Sequence, residues 1–105
     1  MAKYLFTFTY GAAASKGLLR EGGTAREKIG RKTIEAMGGN LDVFYYAIGP
    51  DDGYFICDFP DEKGVVQGMT ILRSNGFSVS AVRLLTSQEI DEALKDHVDY
   101  TPPTA

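Results

Sequence analysis

The stretch Arg20-Glu21-Gly22-Gly23-Thr24-Ala25-Arg26 places two adjacent glycines between two arginines. The glycines lead into a predicted helix, whose free backbone amides and dipole favour an anion. Further basic residues flank this stretch in a chain whose net charge is −3. One interpretation is a capped helix start with solvated charges. The other is a carboxylate or phosphate site, with binding residues Lys16, Gly22, Gly23, Thr24 and Arg26.

Tyrosines on the predicted strands form a second candidate site. Together with an arginine on the last strand, their phenol rings could line a barrel interior and bind a planar or acidic ligand. They could equally be amphipathic residues at a subunit interface. The ligand-binding candidates in this group are Tyr10, Tyr46, Tyr54 and Arg83.

The remaining reactive side chains form no recognisable catalytic motif. His97 is the only histidine, and no motif supplies a second metal ligand, which favours a surface or packed histidine. Cys57 lies within an apolar strand, where burial makes a thiol inert. Asp51, Asp52 and Asp58 could perform acid–base chemistry or bind a cation, although the first two also suit a turn. We predict no cofactor and no metal site.

The elements that must position these residues follow the order βαββαβ. Alternating apolar residues predict strands, and a helical repeat of apolar residues predicts helices between them. The Gly49–Gly53 turn is short enough to make the middle strands an antiparallel hairpin. With right-handed crossovers, this order gives an α+β, ferredoxin-like fold. Strands are predicted at 3–10, 41–48, 54–59 and 77–85, and helical segments at 11–38 and 61–74.

Capping residues predict where the helices begin and end. Gly22-Gly23 interrupts the first helical segment, and Thr24 with Glu27 forms a predicted capping box for its longer part. Asp61 is expected to cap the next helix, and Thr86 with Glu89 predicts a short C-terminal helix. The core-facing stripe of the longer part is predicted to be Ala25, Ile29, Thr33, Ala36 and Met37.

Both faces of the predicted sheet carry large apolar side chains. On the second strand Phe44 and Tyr46 face one way, while Val43 and Tyr45 face the other. If both main helices cover one face, the other face stays exposed, and exposed apolar patches usually mark interfaces. The sequence therefore predicts a homodimer or higher oligomer, with two sheets closing an αβ barrel.

Composition restricts the other partners. A chain of 105 residues is expected to form one domain, which we place at residues 1–96 with a tail at 97–105. The acidic net charge argues against nucleic acid binding. No apolar run reaches the ~20 residues of a membrane span, and no signal peptide is evident. We expect a cytoplasmic protein that binds neither nucleic acid nor membrane.

Several stretches together resemble the GYD domain family. They are Lys16–Leu19, Gly22–Arg26, Gly38-Gly39 before an aromatic strand, and Leu84–Thr86. Gly49 and Asp52 resemble the first and last residues of the motif that names the family, with Asp51 in place of its tyrosine. The resemblance covers about residues 3–92 and implies a dimeric αβ-barrel fold. Relatives with that fold include cofactor-free monooxygenases, lactone isomerases, haem-handling enzymes and stress-related proteins.

Three functions follow from these patterns. The first is an oligomeric αβ barrel that binds a small anionic or planar metabolite between its sheet and helices. The second is a cofactor-independent isomerase or monooxygenase, with a tyrosine, an aspartate or His97 transferring protons. The third is a non-catalytic assembly protein whose barrel is filled by side chains. The absence of a catalytic motif favours the first.

Overall fold

The computed structural model describes residues 1–104 and has the predicted α+β, ferredoxin-like fold. Its strands form one antiparallel sheet in the order β2-β3-β1-β4. The βαββαβ order and the short C-terminal helix are both confirmed. The elements are β1 (Ala2–Tyr10), α1 (Ala12–Glu21), α2 (Gly23–Ala36), β2 (Asn40–Tyr46), β3 (Gly53–Phe59), α3 (Glu62–Ser74), β4 (Phe77–Leu84) and α4 (Ser87–Ala93).

One face of the sheet packs against α2 and α3 and carries the core. Phe6 lies at the centre of this face, opposite Phe55 on β3, and their rings stack with centroids 4.8 Å apart. The helices contribute Ile34 from α2 and Val65 from α3. Tyr4, Phe6 and Phe8 of β1 are all buried on this face because a strand directs alternate side chains to opposite faces. The other buried core residues are Leu41, Cys57 and Phe59.

The start of α2 differs from the prediction. The capping box of Thr24 and Glu27 is wrong, because α2 begins at Gly23 and no side chain caps it. Gly22 has a φ of 86°, a left-handed conformation that favours glycine, and it lies between the end of α1 and the start of α2. Thr24 is therefore already inside the helix. The predicted caps at Asp61 and Thr86 are confirmed.

One strand boundary and one helix face also differ from the prediction. β2 ends at Tyr46 rather than at residue 48, and Ile48 is fully exposed in the loop. The buried residue of α2 is Ile34, which the predicted stripe omitted, whereas Ala25 and Ala36 of that stripe are exposed. The helix is thus rotated relative to the predicted stripe.

The opposite face of the sheet carries partly exposed apolar side chains. Leu5 on β1 lies between Ile56 on β3 and Val82 on β4, and Val82 is 54% exposed. Lys3 forms ion pairs with Asp42 and Asp58 at one end of this face. Apolar groups therefore occupy both faces, as the alternation predicted. None of the helices in residues 1–104 has the length and hydropathy that a membrane span requires.

Candidate functional site

A cavity of about 320 Å³ lies between the sheet and the helices α2 and α3. Its walls are mainly apolar, with aromatic rings from the strands and aliphatic side chains from the helices. This volume is at the lower end of the range of small-molecule sites. Representative lining residues are Phe8, Phe44 and Phe55 from the sheet, and Ile29, Ile34 and Leu72 from the helices.

Two helical glycines help to keep this space open. Gly30 on α2 lines the cavity, and a Cβ added there would meet no atom within 4 Å. Gly68 on α3 also lines it, and a Cβ there would reach only ordinary contact, 3.7 Å from Met37 Cε. Glycine inside a helix is less favourable than alanine by about 1 kcal/mol. The helices therefore lack side chains at positions where the core has room for them.

Two tyrosines lie at the edge of the cavity. Tyr46 Oη donates to the carbonyl oxygen of Gly23 at 3.0 Å. Burial raises the pKa of Tyr10, and the neighbouring Tyr46 side chain raises it further. Tyr10 is therefore a neutral phenol at physiological pH.

Arg26 is the only charged residue lining the cavity within residues 1–104. Its Nη1 donates to Oε2 of Glu21 at 3.0 Å, which leaves other guanidinium N–H groups available. Two other polar side chains of the lining already donate to backbone carbonyls. Thr33 Oγ1 donates to Ile29 and Asn75 Nδ2 to Ile71, both at 2.8 Å. The cavity thus offers a ligand apolar walls and one cation with unused donors.

Asp51 and Asp52 attach the β2–β3 hairpin to β1. Thr9 Oγ1 donates to Asp51 Oδ1 at 3.0 Å, and the backbone N–H of Tyr10 donates to Asp52 Oδ2 at 2.7 Å. Asp58 lies away from these two and pairs with Lys3. Within residues 1–104, no three histidine, cysteine, aspartate or glutamate residues cluster as metal ligands. The two turn carboxylates therefore position Tyr10 at the cavity edge.

The family model of the GYD domain matches residues 4–94. The chain belongs to the GYD domain family. The matched region contains the cavity and its polar lining residues Tyr10, Tyr46 and Arg26. No curated protein and no solved structure matches the chain.

Part of the predicted binding set meets at the cavity of this GYD domain. Tyr10, Arg26 and Tyr46 line it, and Gly23 lies against the Tyr46 ring, which a Cβ on Gly23 would approach to 3.0 Å. A side chain at this position would require the Tyr46 ring to shift by a few tenths of an ångström. The ligand-binding roles of these residues stay predictions.

The structure separates the rest of that set from the cavity. Lys16 and Thr24 are exposed and Gly22 joins two helices, and none of them lines the cavity. Tyr54 points to the opposite face of the sheet, because it alternates with the buried Phe55. Arg83 lies over the Tyr4 ring, 5.9 Å from its centroid, and pairs with Glu89.

Two other reactive side chains of the protein, Cys57 and His97, also lie outside the cavity. Cys57 is fully buried, and burial raises the pKa of its thiol to about 12. His97 is exposed near the C-terminus, with Nε2 2.8 Å from Asp99 Oδ1. The structure thus places the cysteine in the core and the histidine on the surface, as the sequence favoured.

Two glycines that leave the cavity open were not predicted from the sequence. Gly30 and Gly68 were not singled out, although a glycine inside a helical pattern often has a packing or functional reason. A glycine inside a helical pattern can be found in the sequence, but the sequence does not show whether the missing side chain leaves a cavity.

Proposed function

We propose that this GYD domain binds a small, planar, mostly apolar molecule with an acidic group in the cavity between its sheet and helices. The observation that carries the proposal is Arg26, a cation with unused donors at an otherwise apolar cavity. A guanidinium binds carboxylates and similar anions through charge-assisted, often bidentate hydrogen bonds. Partial burial strengthens that attraction relative to water.

The aromatic walls favour a planar ligand. Phe8, Phe44 and Tyr46 form a cluster with ring centroids 5.1 to 6.4 Å apart. Rings presented at varied angles can contact both the face and the edge of a flat ligand. The ligand's planar body is therefore expected to pack beside this cluster, with its acidic group at Arg26.

The state of Tyr10 supports binding over proton transfer. A general base at neutral pH needs a pKa near 7, whereas burial moves the pKa of Tyr10 upward. The cofactor-independent isomerase or monooxygenase therefore remains the alternative and not the leading function. A non-catalytic assembly protein, whose barrel between two sheets is filled by side chains, is a further alternative.

The binding proposal can be tested with 8-anilinonaphthalene-1-sulfonate, an anion with a flat naphthalene ring system that fluoresces in apolar sites. Gly30→Met fills the cavity, and Gly17→Met is the matched control, because Gly17 is also helical but does not line it. We expect the control to bind like the parent and Gly30→Met to bind about tenfold more weakly. Equal affinity for both variants, or no binding by the parent, contradicts the proposal.

We also propose that the opposite face of the sheet binds a second copy of the chain. Leu5, Ile56 and Val82 form its apolar centre, and Tyr54 and Tyr45 lie opposite each other beside it. Exposed apolar patches of this kind are typical of interfaces, and the αβ-barrel resemblance favours a symmetric homodimer. Tyr54 then belongs to the interface rather than to the ligand site. We also propose that the protein is cytoplasmic, as predicted from the sequence.

Analytical ultracentrifugation tests the dimer. Val82→Lys places a charge on the proposed interface, and Val66→Lys is the control, because Val66 is exposed on α3. We expect a dimer for the parent and the control, and a monomer for Val82→Lys. A monomeric parent, or a dimer that Val82→Lys leaves intact, would rule out this interface.

A further inference from the structure

We infer that Glu21 competes with the ligand for Arg26, and that the ligand is a planar monocarboxylate whose carboxylate displaces that of Glu21. This inference rests on the proposed function and adds to it the chemical class of the acidic group. It also assigns Glu21, which does not line the cavity, a role in determining specificity.

The geometry shows a carboxylate already bound to the cavity's cation. Glu21 Oε2 accepts from Arg26 Nη1 at 3.0 Å, a normal charge-assisted hydrogen bond. Arg26 therefore already has a conformation suited to a carboxylate. A ligand carboxylate can take the place of Glu21 without a change in the chemistry of the contact.

The pair is accessible enough to exchange partners. The side chains of Glu21 and Arg26 are 33% and 32% exposed. Ion pairs with this access to water contribute little to stability, so separating them is not costly. A ligand that gains both the contact with Arg26 and burial of its apolar body can therefore outcompete the glutamate.

A second arginine is available to the displaced carboxylate. Arg20 Nη2 lies 3.9 Å from Glu21 Oε1, and the Arg20 side chain is 73% exposed. A flexible exposed arginine can follow the carboxylate when it leaves Arg26. Displacement thus leaves neither charge without a partner.

The rest of the cavity argues for a single acidic group. Within residues 1–104 no charged side chain other than Arg26 lines the cavity, and Thr33, Tyr46 and Asn75 already donate to backbone carbonyls. A second anionic group would face apolar walls, where burying an unpaired charge is strongly unfavourable. The ligand class is therefore a monocarboxylate on a flat apolar body.

Calorimetric titration with 1-naphthoate and its neutral analogue 1-naphthamide tests the inference. The variants are Glu21→Gln, Arg26→Gln and the control Glu27→Gln. The control also removes a glutamate paired with an arginine, since Glu27 pairs with Arg31 at 3.7 Å. Neither of these residues lines the cavity.

We expect Glu21→Gln to bind naphthoate about three- to tenfold more tightly than the parent and naphthamide with unchanged affinity. Glu27→Gln should match the parent for both compounds. Arg26→Gln should bind naphthoate about tenfold more weakly.

The possible failures are distinguishable. If naphthoate binds the parent but Glu21→Gln and the parent are equal, the competition is refuted while the proposed function stands. If Glu21→Gln binds both compounds more tightly, the glutamate restricts access rather than competing by charge, which also overturns the inference. If the parent and Glu21→Gln both bind neither compound, the proposed function itself fails.

Discussion

The two ends of the layer between the helices and the sheet differ in how closely other atoms approach their glycines. At the closed end, a Cβ on Gly64 would lie 2.2 Å from a ring atom of Phe59, and a Cβ on Gly39 would lie 2.5 Å from another. At the open end, a Cβ on Gly30 would meet nothing within 4 Å. Glycine thus permits tight contact with Phe59 at the closed end and leaves space beside the cavity at Gly30, while Gly53 in the sheet makes room for the Phe8 ring.

This difference separates stability from binding within one core. The closed end is filled by Phe59, which is 1% exposed and whose ring also borders the cavity, and by Cys57, which is fully buried. The open end combines unfilled volume with polar groups at its edge, namely Tyr10, Tyr46 and Arg26. We therefore expect substitutions at the closed end to change folding, and substitutions at the open end to change binding.

The largest effect is expected from Phe59→Ala at the closed end. Removal of a fully buried ring should lower the free energy of unfolding by about 3–5 kcal/mol. Ile29→Ala at the open end removes a side chain that is already 43% exposed and should cost much less. Urea denaturation of both variants measures the two values. Similar losses would show that the ends do not differ in packing.

The next effect is expected from Gly64→Ala. The added methyl group overlaps the Phe59 ring, so overpacking should lower stability by about 1–3 kcal/mol. Adding Phe59→Leu to Gly64→Ala should cost less than the two separate losses together, because the smaller side chain relieves the overlap. Chemical denaturation of the single and double variants checks this. Additive losses would contradict the contact.

The buried thiol predicts a loss of stability at high pH. The folded-state pKa of Cys57 is about 12, against 9.0 for an exposed thiol, so the fold favours the neutral form. The resulting stabilisation of the folded state is fully present below pH 9. It decreases as the pH rises toward 12, by at most about 1.4 kcal/mol per pH unit. Denaturation of the parent and Cys57→Ala between pH 8 and about 10 isolates this contribution. Parallel pH profiles would contradict it.

The smallest effect is expected from Gly30→Ala, in the opposite direction. The methyl group enters free space and replaces a glycine inside a helix, so stability should rise by about 0.5–1 kcal/mol. Thermal unfolding provides the measurement. A loss of stability would mean that the space at Gly30 is already occupied in solution.

The sequence predicted those features that depend on local pattern. The alternation of β1 identified a strand, and Thr86 with Glu89 identified the start of α4. The rotation of α2 was predicted incorrectly, because the small residues Ala25 and Ala36 fit an apolar stripe as well as Ile34 does. Tertiary packing decided between them.

The candidate site was predictable only in part. Tyr10, Tyr46 and Arg26 were selected from two separate patterns, which gave no reason to bring them together. Their convergence depends on the hydrogen bond from Tyr46 to Gly23, which joins β2 to the start of α2. The cavity itself is an absence of side chains at Gly30 and Gly68, and periodicity does not reveal how much space a missing side chain leaves.

The most direct test of the account is a ¹H–¹⁵N NMR titration of the protein with 1-naphthoate. We expect saturable chemical-shift changes of backbone amides at the open end, including those of Tyr10, Arg26 and Gly30. Amides at the closed end, such as Cys57, should stay in place, as should those at the centre of the opposite sheet face, such as Val82. Saturable shifts centred on Val82, or no saturable shift at all, would contradict the assignment of the cavity as the binding site.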